Sequence, residues 1–178
     1  MIIRTETEKD YKAIKEIHDK AFGHDVESAL IERLRASDSY NKEFSIVAEE
    51  DGKVVGHILF THVSVDTPVK SSPAVILAPL AVLKEHRGFG AGSALVKEGI
   101  KRTKAAGYTL MLVNGHRFYE RFGFTTAHER GIFRPNPHPS AVVRMLEMEA
   151  GAAEGVMGVI KYPKEFRPLI EEWYGEDK

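Results

Sequence analysis

A glycine-rich turn between an apolar segment and a helical pattern constrains this chain more than any other feature. The apolar segment is Ala74 to Leu83, the helical pattern is Gly90 to Ala106, and the turn reads His86-Arg87-Gly88-Phe89-Gly90-Ala91-Gly92. A strand that enters a helix through such a turn leaves backbone N–H groups unpaired beside the positive end of the helix dipole. The sequence therefore predicts an α/β protein with a local phosphate site.

Composition narrows the possible partners of that site. The 178 residues, with 25 basic and 26 acidic side chains, carry a net charge of -1, so nucleic acid and anionic membranes are not expected as partners. Cysteine is absent, which excludes disulfides, thiolate metal sites and a cysteinyl intermediate. The early charged residues and the short apolar runs predict a cytoplasmic protein without a secretory or membrane-spanning segment.

Hydrophobic spacing predicts a mixed sheet with helices on both faces. The Asp51-Gly52 pair between two apolar runs is the strongest hairpin signal in the chain. Residues 66–73 read as a loop, and the tail from Glu171 reads as polar and frayed. Predicted strands lie near residues 2–3, 44–50, 53–65, 74–83, 108–113, 125–127, 142–148 and 156–161, and predicted helices near 11–21, 26–34, 90–106 and 117–122.

Pro79 interrupts the apolar run before the turn. Proline cannot donate a backbone hydrogen bond, so it is found at bulges and interruptions of a sheet. We therefore expect the fourth strand to separate from a neighbour near this residue.

Two common phosphate motifs do not fit the turn. A Walker-type loop ends in Gly-Lys-Ser/Thr, whereas Gly92 is followed by Ser93-Ala94. The dinucleotide motif G-x-G-x-x-G would require glycine in place of Ser93 or Leu95. What remains is Arg87-x-x-Gly90-x-Gly92, followed later in the chain by Phe118-Tyr119-Glu120-Arg121-Phe122-Gly123-Phe124.

These two motifs resemble the signatures of the GCN5-related N-acetyltransferase (GNAT) superfamily. The first is similar to its acyl-CoA pyrophosphate loop, Q/R-x-x-G-x-G/A, and the second to its F-Y-x-x-x-G-F segment. Within the superfamily, segments 77–83, 108–113 and 158–163 are similar to the YhbS-type predicted acetyltransferases. The resemblance covers nearly the whole chain.

The resemblance implies one N-acetyltransferase domain over residues 1–178, with a core of about 1–149 and a C-terminal extension of about 150–178. Its fold would be the GNAT fold, a central, mostly antiparallel sheet splayed between strands four and five, with helices on both faces. We expect a monomer or a homodimer, because a late strand at 142–148 offers an edge for pairing.

The implied activity is transfer of an acetyl group from acetyl-CoA to a primary amine of a small molecule or peptide. Without cysteine, direct attack in a ternary complex is expected, and no metal is required. Lys84 adds charge near the turn. The implied acetyl-CoA contacts are Leu80, Ala81, Val82, Arg87, Gly88, Phe89, Gly90, Ala91, Gly92, Ser93, Asn114 and Tyr119.

Tyr119 matches the superfamily tyrosine that protonates the departing CoA thiolate. The alternative is an aromatic side chain packed beneath the loop. Asn114 and His116 follow the fifth strand and are candidates for polar roles near the thioester.

Other candidates for a general base are less specific, and the reaction does not require one. His57 and His62 lie five residues apart on a strand, hence on opposite faces, so they cannot form a metal pair, and structural roles are favoured. Glu27 and His24 border the implied acceptor site, but a solvated surface is the favoured interpretation.

A second function stays open from the sequence, a non-catalytic acyl-CoA-binding or regulatory module on the same fold. The presence of Tyr119 favours the enzyme. A nucleotide-phosphate binder or kinase is disfavoured by the absence of Gly-Lys-Ser/Thr after the turn.

Overall fold

The first half of the chain forms two helices and an antiparallel strand meander. The structure, a computed structural model, describes residues 1–115, 117–135 and 142–175, with side chains up to 171. The elements before the glycine turn are β1 (Ile2–Thr5), α1 (Tyr11–Phe22), α2 (Val26–Arg35), β2 (Ser45–Glu50), β3 (Lys53–Asp66) and β4 (Ser71–Val82).

The second half alternates one long helix with short strands. A 3-10 turn at Arg117–Phe122 follows β5 and contains the second motif. The elements after the glycine turn are α3 (Ala91–Ala105), β5 (Leu110–Asn114), β6 (Thr125–Thr126), β7 (Ile132–Phe133), β8 (Val143–Glu147), β9 (Gly158–Lys161) and α4 (Arg167–Gly175).

The nine strands of the described residues join one sheet in the order β1-β2-β3-β4-β5-β8-β6, with β9 on β3 and β7 on β9. The β4–β5 and β7–β9 pairs are parallel. The remaining strand pairs are antiparallel. The predicted mixed, mostly antiparallel sheet is therefore confirmed.

The sheet is covered on both faces, as predicted. One core combines α1 and α2 with the sheet and includes Leu30 and Leu34, and α4 joins it through Leu169. The other core lies under α3 and includes Leu95 and Val96.

The β4 and β5 strands separate at the expected place. They pair only where Val75–Leu77 lies beside Met111–Val113, while β4 continues to Val82. The Ala78–Pro79 peptide bond is cis, and the β3–β4 register shifts between Ile58 and Phe60. The sheet therefore opens directly before Pro79, which has no N–H to donate.

Three predicted features are wrong in detail. The β4 strand begins at Ser71 instead of Ala74, because Ser71–Pro73 pair with β3, and Pro73 lies outside the β4–β5 pairing. The β8 strand lies between β5 and β6 and is not a simple edge. Residues 171–175, predicted as part of a frayed tail, continue α4, a helix that packs on the first core through Leu169. None of the helices in the described part of the chain is long and apolar enough to cross a membrane.

Candidate active site

A cleft of about 590 Å³ opens where β4 leaves β5. The end of α1, the end of β4, the glycine turn and the 3-10 turn all contribute to it. Its lining residues are Ala21, Phe22, Leu80, Ala81, Val82, His86, Arg87, Gly88, Gly90, Gly92, Ser93, Phe118 and Arg121. The end of β4 and both sequence motifs therefore share one cavity.

The backbone of the turn forms an open N-terminus for α3. Gly88 and Gly90 have φ values of 87° and 96°, and no other heavy atom lies within 4 Å of a Cβ built on either. These glycines are needed for left-handed backbone, not for space. The first intrahelical bond runs from the Ala94 N–H to the Gly90 carbonyl at 2.9 Å. The N–H groups from Ala91 to Ser93 precede that bond, as an anion site at a helix N-terminus requires.

Two guanidinium groups add positive charge to the cleft. Arg87 Nε donates to the Val82 carbonyl at 2.9 Å, which anchors the side chain on the end of β4. Arg121 lies 4.8 Å from the Phe118 ring centroid. Since the described lining contains no carboxylate, the local charge favours an anionic ligand. Sequence reasoning missed Arg121, which occupies a variable position of the second motif.

Tyr119 lies in the buried aromatic cluster beside the cleft. It is 8% exposed, and its ring centroid lies 5.2 Å from that of Phe118 and 5.7 Å from that of Phe124. Burial raises the pKa of Tyr119 above its usual range, so the phenol keeps its proton at neutral pH. The side chain is thus packed beneath the turn and is also a protonated hydroxyl.

Asn114, the last residue of β5, has an unusual environment. Its Nδ2 and Oδ1 atoms are both buried and have no hydrogen-bond partner among the described residues. An unpaired buried polar group costs about 1–3 kcal/mol, so a polar ligand group at this position would be favoured. His116, the neighbouring candidate, lies outside the described residues.

Arg144 fixes the connection between β5 and the Tyr119 turn. Its Nε donates to the Gly115 carbonyl at 3.0 Å, and its Nη2 lies 3.0 Å from Glu120 Oε1. Because Arg144 lies on β8, opposite Val113 of β5, the sheet holds this turn from one side.

Two of the other predicted acetyl-CoA contacts, Phe89 and Ala91, do not line the cleft. Phe89 is 76% exposed and does not line the cleft, while Ala91 is buried at the start of α3. Lys84 and Arg87 line a smaller cavity of about 200 Å³ beside the cleft.

A buried polar network lies behind the α1 side of the cleft. Glu6 is 2% exposed, accepts two bonds from Arg35 at 2.9 and 2.6 Å, and accepts a third from the Tyr40 hydroxyl at 2.5 Å. His57 Nε2 lies 2.8 Å from Ser45 Oγ. The other ring nitrogen, His57 Nδ1, lies 2.9 Å from Nε2 of His18, which is also fully buried.

Desolvation is the main cause of the low pKa values of the two histidines. Burial lowers the pKa of His57 to about 3, and it lowers the pKa of His18 well below its ordinary value. Both rings are therefore neutral at neutral pH. The structural role expected for His57 fits its hydrogen bonds, but sequence reasoning missed His18.

The other candidates for a general base lie outside this network. His62 is exposed on the opposite face of β3, with Nδ1 at 3.0 Å from the Tyr108 hydroxyl. Glu27 is buried, contrary to the solvated surface predicted for it, and lies 3.2 Å from His24. Within the described residues, no three His, Cys, Asp or Glu side chains are grouped to hold a metal ion.

Known proteins share this architecture. Residues 11–124 match the profile of the Acetyltransferase (GNAT) family. The uncharacterized N-acetyltransferase YjhQ of Escherichia coli is 37% identical over 132 residues, which cover 73% of each chain. The uncharacterized N-acetyltransferase YhbS of the same organism is 29% identical over 93% of this chain and 98% of YhbS.

Solved structures give the same picture. The crystal structure of E. coli YhbS in complex with CoA superimposes with a TM-score of 0.84, covering 93% of this chain and 91% of that one, at 29% identity. A GNAT acetyltransferase from Brucella melitensis in complex with acetyl-CoA gives a TM-score of 0.74 at 27% identity, over 93% of this chain and 97% of that one. The family resemblance found in the two motifs is therefore confirmed, and the chain belongs to the GNAT acetyltransferase family.

Proposed function

We propose that this protein transfers the acetyl group of acetyl-CoA to a primary amine of a small molecule or peptide. The observation that supports the proposal most directly is the cleft along the end of β4, beyond its pairing with β5, bounded by the glycine turn and by Arg87 and Arg121. CoA and acetyl-CoA in the structures of the two relatives support the choice of donor.

In the proposed complex the two ends of acetyl-CoA meet different parts of the cleft. The pyrophosphate lies on the N–H groups at the start of α3, where the helix dipole and Arg87 favour negative charge. The pantetheine amides pair with the backbone of Leu80–Val82, which extends beyond the β4–β5 pairing. The thioester then lies near the point where the strands part.

The chemical step is direct attack in a ternary complex. The amine nitrogen forms a bond to the thioester carbon, the C–S bond breaks, and CoA leaves as a thiolate that takes a proton. The amine loses one proton, so the products are the amide and CoA with a free thiol. Tyr119 supplies the proton to sulfur in this proposal, because it matches the superfamily tyrosine and its phenol carries a proton at neutral pH.

In the same proposal Asn114, at the end of β5, binds a polar group of the donor. Its amide has unpaired buried atoms on the strand that borders the opening. Bonding to a polar group of the bound donor would satisfy them.

Release of free thiol from acetyl-CoA, measured with a panel of amines, tests this function. We expect thiol release with at least one amine and loss of turnover of roughly 10- to 1000-fold in Tyr119→Phe. Acetyl-CoA binding, measured by calorimetry, should change little in this variant because the ring is retained. Phe122→Leu is a suitable control, because it alters the same aromatic cluster without removing a hydroxyl.

The possible outcomes separate the two functions. Binding of acetyl-CoA without thiol release with any amine would favour the non-catalytic module. Full turnover in Tyr119→Phe would remove this residue from the mechanism while leaving the acetyltransferase assignment intact.

A further inference from the structure

The His18 imidazole lies directly behind two parts of the cleft wall. His18 is on α1 one turn before Phe22, and its ring stacks on that of Phe22 with centroids 6.0 Å apart and planes 6° apart. Its partner His57 lies opposite Ala81 in the β3–β4 pairing. Phe22 and Ala81 both line the cleft, whereas His18 is fully buried.

The hydrogen bonds of the network determine which ring nitrogens carry protons. Glu6 is paired with Arg35, and its Oε2 lies 3.5 Å from His57 Nε2, so a proton on that nitrogen is favoured over a lone pair. His57 Nδ1 is then an acceptor, and the 2.9 Å contact requires a proton on His18 Nε2. A neutral imidazole has one proton only, so His18 Nδ1 has a lone pair.

This lone pair has no partner in the described part of the chain. His18 Nδ1 is buried and without a hydrogen bond there, although every other nitrogen of the two rings has a contact. A buried acceptor of this kind is costly unless a donor reaches it. The Phe22 ring, which is 40% exposed, lies parallel to the imidazole and lines the cleft. Exposed side chains change rotamer within nanoseconds, so the Phe22 ring can readily turn away from the imidazole.

We propose that His18 Nδ1 accepts a hydrogen bond from the N–H of the acceptor amine once the Phe22 ring has turned away from the imidazole. The inference rests on the proposed function and adds the group that orients the acceptor. It assigns the end of α1 as the acceptor wall of the cleft.

The chemistry of the reaction favours a neutral hydrogen-bond acceptor at this position. An ammonium ion cannot attack the thioester, because its nitrogen has no lone pair. A carboxylate would stabilise the ammonium form, whereas a neutral imidazole binds an amine N–H and leaves the amine lone pair directed elsewhere. The Glu6–His57 contacts fix the His18 tautomer that can do this.

The His18→Gln variant tests the proposal. Its side-chain amide can replace Nε2 as donor to His57 but offers no acceptor at the Nδ1 position. We expect the KM for the amine to rise roughly tenfold while the affinity for acetyl-CoA stays unchanged. His18→Asn, whose oxygen lies near the Nδ1 position, should recover part of the loss, and urea midpoints of both variants measure folding. His62→Gln on the opposite face of β3 is the control.

A second measurement does not depend on activity. Carbethoxylation of His18 by diethylpyrocarbonate, followed by peptide mass spectrometry, reports whether the ring can be reached from the cleft. We expect slow labelling in the unaltered protein and labelling at least severalfold faster in Phe22→Ala. Equal labelling rates would overturn the proposal, as would an unchanged amine KM in His18→Gln. If the unaltered protein releases no thiol with any amine, the proposed function fails, and the labelling still tests access to His18.

Discussion

The three glycines of the phosphate turn have different physical roles. Gly88 and Gly90 are left-handed, with open space around them. Gly92 lies in the first turn of α3, and a Cβ built on it would lie 3.6 Å from Phe118 and 3.7 Å from Val82, which are ordinary contact distances. Glycine is therefore needed at Gly90 for its left-handed backbone, whereas a Cβ is sterically tolerated at Gly92.

Alanine at these two positions should separate the roles. Gly90→Ala forces a side chain into left-handed backbone, so we expect a loss of about 1–2 kcal/mol in the free energy of unfolding. Acetyl-CoA affinity should fall as well, because the N–H groups at the start of α3 shift. Gly92→Ala should keep both quantities near those of the unaltered protein. Urea unfolding and calorimetry measure the two, and equal stability losses would contradict this assignment.

Arg121 lies in the cleft although it stands at a variable position of the second motif. It lines the cleft and lies over the Phe118 ring, which limits its conformations. We expect Arg121→Gln to weaken acetyl-CoA binding roughly tenfold and to reduce its salt dependence, since charge-assisted bonds to phosphate are strong. Lys101→Gln removes a charge from the exposed side of α3 and is the control. A Kd unchanged by Arg121→Gln would place the donor's phosphates elsewhere.

The approach of α3 to the sheet depends on Gly99. A Cβ built on Gly99 would lie 1.9 Å from Phe60 Cζ, and Phe60 on β3 is fully buried. The helix backbone therefore rests on an aromatic ring that has no room to move. This close contact sets the distance between α3 and the sheet, and with it the position of the helix N-terminus at the cleft.

Gly99→Ala should reverse the usual effect of alanine in a helix. Alanine normally stabilises a helix interior by about 1 kcal/mol relative to glycine, but overpacking here should cost about 1–3 kcal/mol or more. Combining it with Phe60→Leu should recover part of that loss, in a double-mutant cycle measured by urea unfolding. A stabilised Gly99→Ala protein would show that α3 is free to move away from the sheet.

The elements near the motifs were predictable because their signals are local. Pro79 indicates the end of β4–β5 pairing, and Gly123 ends the turn that contains Tyr119. The buried network was not predictable in the same way. Glu6 and Arg35 lie 29 residues apart in the sequence, and only the packing of α1 and α2 on the sheet brings them together, with Glu6 buried and Arg35 half-buried. Long-range pairing of this kind leaves no local periodicity.

The buried polar groups of the protein are distributed unevenly over its two cores. The core under α1 and α2 encloses the Glu6 network and the His18–His57 pair, and a second charged pair lies nearby. Arg4 and Asp10 form a 2.7 Å ion pair, and this guanidinium is the main reason that the pKa of Asp10 falls to about 2. Acid must therefore weaken this side of the protein in two steps, first through the histidines and later through Asp10.

The histidine step gives a pH dependence with a defined sign. Unfolded histidine has a pKa near 6.5, whereas the native pKa values of His57 and His18 are well below that. Between these limits the unfolded state binds more protons, so the free energy of unfolding falls as pH falls. From pH 7.5 to 5.5 we expect a loss of about 1 kcal/mol for each buried histidine. The Asp10 contribution is lost only below about pH 4, as protonation removes its negative charge.

Urea unfolding at a series of pH values between 7.5 and 5.5 measures this loss. His18→Gln should remove about half of the pH dependence, since it deletes one of two groups that must stay neutral in the folded protein. His128→Gln alters an exposed histidine and should leave the pH dependence unchanged. A free energy of unfolding that stays constant over this range would contradict a neutral buried pair, because it requires the folded and unfolded proteins to bind equal numbers of protons. Proton uptake on unfolding near pH 5.5, measured by calorimetry in buffers of different ionisation enthalpy, is a second check, since buried neutral histidines take up protons once unfolding exposes them.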